Sequence, residues 1–171
     1  MRFLALTGGI LFLCCSWAGD LTTKIAVAGE TWSVLFDGPK IQVGTGTVPS
    51  AYFASADRLQ VSLFVEPPKC AGGDSDENVY SCFSEALKKN PVVNWDTERG
   101  NKAANGIHVM YMTQIEANGK AGRAFNVNVL FVHGGKWVDF HASVASPGEA
   151  DVARLFALAD SVRVVDTPSS K

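Results

Sequence analysis

The stretch Phe131-Val132-His133-Gly134-Gly135-Lys136-Trp137-Val138-Asp139-Phe140-His141-Ala142-Ser143 decides the fold. On both sides of Gly134-Gly135, apolar and polar residues alternate with the period of a half-buried strand, and paired glycines accept the positive φ angles of a tight hairpin turn. Folding the segment about the glycines sets Phe131 opposite Val138, Val129 opposite Phe140 and Val127 opposite Ala142, an apolar face. The opposite face then carries Asn126, Asn128, Asp139, His141 and Ser143, with Asn128 facing His141. A hairpin with one apolar and one polar face is the building unit of an antiparallel sheet.

Moving outward, Ile107 to Glu116, Ala124 to Val132 and Trp137 to Val144 form a three-strand meander, its first turn at Asn118-Gly119. Leu59, Val61, Leu63 and Val65, interleaved with Gln60, Ser62 and Glu66, mark a further strand, and Trp32, Val34 and Phe36 another. Val79, Cys82, Phe83, Ala86 and Leu87 recur at helical spacing, with Asp74 or Ser75 as the cap and Pro91 just past the end. A second helix opens at Ser146-Pro147-Gly148-Glu149, where Ser146 reads as N-cap, Pro147 as first helical residue and Glu149 as capping-box partner. Its buried stripe is Val152, Leu155, Phe156, Ala159 and Val162. Asn90 to Gly106 lacks periodicity and reads as a long surface loop, while Gly72-Gly73 and Gly44-Thr45-Gly46 read as turns. The expected class is α+β, an antiparallel β-sheet with flanking helices.

An aromatic near the mature N-terminus, a sheet crossed by one helix, and the Phe131 to Ser143 hairpin running into a final helix that ends Ala159-Asp160-Ser161-Val162-Arg163 together resemble the PsbP-like exported proteins. The likeness covers most of residues 30 to 165 in element order and about thirty residues in detail. It implies an α/β/α sandwich and a binding or assembly role without catalysis.

Residues 1 to 18 read as a secretory signal peptide. Arg2 precedes the apolar run Phe3 to Trp17, which closes on Ser16-Trp17-Ala18 and is too short for a comfortable membrane span. The expected product is one domain, residues 19–171, periplasmic or secreted, with no transmembrane segment in the mature chain. Cys14 and Cys15 leave with the leader, and the bulky Leu13 disfavours lipidation there. Cys70 and Cys82 are then expected to form a disulfide in an oxidising compartment. The spacing is unlike a redox-active Cys-x-x-Cys pair. A formal net charge of −2 leaves no basic footprint for nucleic acid.

Candidate chemistry is sparse. Asp139 and His141 lie two apart on one strand face, close enough for a carboxylate to orient an imidazole as in general-base or metal sites. His108, Met110 and Met112 form a soft-ligand row suited to Cu(I). A two-residue turn at Asn118-Gly119 puts that row in the core, opposite Phe125 and Val127, whereas a three-residue turn including Lys120 puts it on the polar face. Asp74-Ser75-Asp76-Glu77-Asn78 with Glu85 has a calcium-loop outline but Val79 where the loop needs glycine, and helix capping accounts for it better. Ser33, Ser62, Ser81 and Ser143 have no nucleophile-elbow context. Trp95 and Phe64 fall outside a clear buried stripe, and an exposed aromatic there would mark a partner surface.

The residues thus point to a non-catalytic exported binding or assembly factor without a cofactor. Its partner, another exported protein or a small ligand, is expected to dock around Asn128, Asp139, His141 and Trp95 or on the Asn90 to Gly106 loop. An inhibitor or immunity protein of an exported enzyme is one alternative, and a hydrolase using Asp139 and His141 is another.

Overall fold

In the computed structural model, residues 21–45, 51–56, 58–117 and 119–166 are described. The leader, Cys14 and Cys15 lie outside them. Along the chain run β1 (Leu21–Ala26), β2 (Trp32–Gly38), β3 (Gln42–Thr45), β4 (Ala51–Ala56), β5 (Leu59–Glu66) and α1 (Asp76–Leu87). β6 (Val93–Ala103), β7 (Gly106–Ala117), β8 (Lys120–His133), β9 (Lys136–Ala145), α2 (Glu149–Ser161) and β10 (Arg163–Asp166) complete the order. Strands outweigh helices among the described residues, so the chain is mainly β: antiparallel sheet with two helices rather than an even α+β mixture.

Seven strands form one antiparallel sheet in the order β3-β4-β5-β9-β8-β7-β6, and β1-β2-β10 form a second. The β8–β9 hairpin has the register its alternation predicts: Phe131 pairs with Val138, Val129 with Phe140, Val127 with Ala142 and Asn128 with His141. Gly134 and Gly135 take φ values of 57° and 71°, where a side chain would be strained. A Cβ on Gly134 would also come within 3.1 Å of Trp32 Nε1.

The inner face of the large sheet packs on β2 and α2. Val34, Phe36, Leu63, Val129, Val138 and Phe140 are fully buried there, and the Phe36 and Phe140 rings stand 5.0 Å apart. Each such side chain removed from water stabilises the fold by roughly 1.5–3 kcal/mol before entropy is charged. Met110, Met112 and His108 lie opposite Val127, Phe125 and Val129, because Ala117 pairs with Lys120 and the turn has two residues. This is the inner-face branch of the two registers left open by the sequence.

The outer face is covered by α1 over β7 and β8. Val79 and Leu87 pack on Ile107, Val109, Tyr111, Leu130 and Trp137. Ser75 caps the helix by accepting from Asn78 N at 3.2 Å, and Asp76 Oδ1 accepts from Val132 N at 2.8 Å, tying the helix start to β8. Cys70 and Cys82 form a disulfide with a Cα–Cα distance of 6.1 Å, fastening the exit of β5 to the helix. Closing so short a loop stabilises by about 3 kcal/mol on the chain-entropy account.

Three local expectations are corrected. Asn90 to Gly106 is not a loop: Val93–Ala103 is the edge strand β6, whose pairing with β7 shifts between Asn94 and Arg99. That bulge breaks the alternation, and an edge strand with polar side chains carries little periodic signal. Gly44 and Thr45 belong to β3 instead of a turn. α2 starts later than Ser146, with Gly148 as N-cap, since Ser146 adopts φ 51° and Asp151, not Glu149, accepts the Gly148 N–H at 2.9 Å. Arg58 holds Asp151 at 2.8 Å and the Ser146 carbonyl at 2.8 Å, bracing that entry. The helix also ends at Ser161, and Arg163 opens β10. No helix among the described residues is long and apolar enough to cross a membrane.

Candidate functional site

Period-two geometry sends Ser62 of β5, His141 of β9, Asn128 of β8 and Val109 of β7 to the outer face in one cross-strand row. The next row along the strands holds Gln60, Ser143, Asn126 and Tyr111. Side chains of such length on adjacent rungs are within hydrogen-bond reach, and here they form two separate polar contacts.

The first joins β5, β9 and β8. His141 Nδ1 lies 3.3 Å from Ser62 Oγ, and its Nε2 lies 3.0 Å from Asn126 Oδ1. Asn126 Nδ2 is committed to Thr113 Oγ1 and to the Tyr111 and Ala124 carbonyls, at 3.1–3.3 Å. Its Oδ1 is therefore the acceptor, so the imidazole carries its proton on Nε2 and presents the Nδ1 lone pair to the Ser62 hydroxyl. Burial pushes the His141 pKa down to about 4, and the ring is neutral near neutral pH.

The second contact is Asn128 Nδ2 donating to Asp139 Oδ1 at 2.6 Å. Burial raises Asp139 to about 6 against the opposing pull of that bond. Burial, followed by the negative charge of Asp139, also raises the Tyr111 hydroxyl. Asn128 is 2% exposed, and its Oδ1 has no partner among the described residues.

The expected residues Asn128, Asp139 and His141 thus share the outer face, but not as a carboxylate orienting an imidazole. Asp139 is bound to Asn128, and His141 is bound to Ser62 and Asn126. The side chain of Trp95 lies outside the described residues, although its backbone is in β6. The His108 row runs along the core: His108 is 4% exposed, its Nε2 meets Asn105 Oδ1 at 2.8 Å, and its Nδ1 is 3.7 Å from Asp160. Burial lowers its pKa. Asn105 in turn donates to the Ala159 and Val162 carbonyls, so His108 and Asn105 close the end of α2. The acidic run at the start of α1 is used in capping and pairing, with Glu77 held by Lys102 at 2.7 Å. Among the described residues, no group of three or more His, Cys, Asp or Glu side chains is placed to hold a metal ion.

Beside this polar seam no element among the described residues covers the outer face. Gln42, Gly44, Phe53, Ser55, Gln60, Ser62 and His141 line a shallow groove over β3, β4, β5 and β9. Phe53 is 47% exposed and meets the partly buried Phe64 edge-on, with ring centroids 5.8 Å apart. The exposed aromatic is thus Phe53, one strand over from Phe64. Ser62, Asn126, Phe53 and Gly44 are absent from the expected site residues. Ser62 stands in the alternation of β5, but nothing local reveals that β5 lies beside β9. No family model matches the chain, and no curated protein matches it.

Proposed function

We propose that this chain is a non-catalytic exported binding factor that takes its partner on the uncovered half of the outer face, between β3 and β9. The observation that carries the reading is the asymmetry of that face. α1 seals the β7–β8 half over an apolar cluster, whereas the other half presents an exposed Phe53 beside the exposed Gln42, Ser55 and Gln60. Helices on opposite faces of an antiparallel sheet support a PsbP-like sandwich. The Cys70–Cys82 disulfide supports export to a periplasmic or extracellular compartment. An inhibitor or immunity protein is the same reading with an exported enzyme as partner.

A hydrolase has one observation in its favour, the Ser62 hydroxyl beside His141 Nδ1. Two things weigh against it. Ser62 and its neighbours are paired with β4 on one side and β9 on the other, which leaves no free backbone donors to form an oxyanion hole. A base held near 4 also takes up a proton poorly at neutral pH.

Photo-crosslinking from the native exported fraction tests the proposal. A benzophenone side chain at the exposed Gln60 is expected to trap a partner, and the same group at Ala153, exposed on α2, is not. Adducts confined to position 153 would reject the reading. Covalent labelling of Ser62 by a fluorophosphonate would replace it with the hydrolase.

A further inference from the structure

The groove has a distinctive chemistry. Gly44, Phe53, Ser62 and His141 succeed one another across four adjacent strands, β3, β4, β5 and β9. At about 4.8 Å per strand the row extends for about 14 Å, near the length of three sugar rings. Among the described residues no Lys, Arg, Asp or Glu lines it, and His141 is neutral, so a charged ligand finds no counter-charge among them. Gln42, Ser55 and Gln60 are exposed, and among the described residues no hydrogen bond engages their side chains. Amides and hydroxyls both donate and accept, which is what a polyol requires.

Gly44 completes the arrangement. It pairs with Phe53, and a Cβ there would meet only the Phe53 carbonyl oxygen, at 3.8 Å. Gly44 therefore places no side chain beside Phe53 on β3, and Phe64 meets the Phe53 ring edge-on. An exposed aromatic ring offers its electron-rich face to polarised C–H bonds, such as those on the flat face of a pyranose.

We propose that the Gly44–Phe53–Ser62–His141 row is a binding site for an uncharged oligosaccharide, with Phe53 as the stacking platform, Gln42, Ser55 and Gln60 as hydroxyl partners, and the buried Ser62 in its floor. The proposal rests on the binding reading above and names its ligand class.

The test uses the full exported chain with its disulfide intact, titrated with maltohexaose, cellohexaose and chitohexaose by calorimetry and amide chemical-shift mapping. One of the three is expected to move the Gly44, Phe53, Ser62 and His141 amides saturably and to leave Val79 and Leu87 unmoved. Phe53→Ala and Gly44→Val are each expected to weaken binding at least tenfold at unchanged thermal unfolding. Ser62→Ala should weaken it about threefold. No response to any of the three sugars, or a response unaffected by Gly44→Val, would overturn the proposal. A protein adduct at Gln60 without a sugar response would reject the glycan and retain the binding reading, whereas an adduct at position 153 and none at Gln60 would remove both.

Discussion

The two halves of the outer sheet face are built from the same alternating strands, yet they end in opposite states. Over β7 and β8 the outward residues are Ile107, Val109, Tyr111 and Leu130, and α1 covers them with Val79 and Leu87. Over β4 and β5 they are Phe53, Ser55, Gln60, Ser62 and Phe64, with no helix above them among the described residues. The polar seam of Asn126, Asn128, Asp139 and His141 is the border. A sheet face packs where its outward residues are apolar and stays wet where they are not. The exposed Phe53 departs from that rule, and the departure locates the proposed site.

The comparison can be broken most forcefully from the covered side. Leu130→Ala, a fully buried position under α1, is expected to cost roughly 3–5 kcal/mol by opening a cavity, measured as a fall in the urea midpoint. Replacing Cys70 and Cys82 by Ser together should cost about 3 kcal/mol in the same measurement, with amide exchange accelerated in α1 and little changed in β4.

The border is sharpened by pH. Asp139 is raised to about 6, so its contribution to stability is full below its unfolded value near 4 and is lost as pH rises through 6. His141 is lowered to about 4, so its contribution is present above its unfolded value near 6.5 and is lost as pH falls through 4. Between pH 4 and 6 the two oppose each other. Asp139→Asn removes the first alone, and the variant should lose up to about 3 kcal/mol more than the parent between pH 6 and pH 4. Equal acid sensitivity of the two proteins would disprove the assignment. The smallest effect belongs to the bare half: Phe53→Ala should change stability by less than about 0.5 kcal/mol while abolishing partner capture.

Much of this architecture is legible locally. The β8–β9 register follows from alternation around two glycines, the cap at Ser75 from helix-start chemistry, and the disulfide from the two cysteines beyond the leader. The Asn118-Gly119 turn narrows the His108 row to two outcomes, and neighbouring strands select the inner one. β6 is hidden because a bulge and an unpaired edge erase its period. Gly44 reads as a turn residue because glycine signals turns more often than strands.

The chain's own pattern therefore determines which residues can share a face, because side-chain direction is set by backbone period within one element. It establishes the polar set Asn126, Asn128, Asp139, His141 and Ser143, and an antiparallel sheet to carry them. Which strands lie side by side is decided by long-range pairing and burial, energies that no local window contains. Only when β5 settles against β9 does Ser62 meet His141 across 79 residues of sequence, and only then do Gly44 and Phe53 extend that row into a groove.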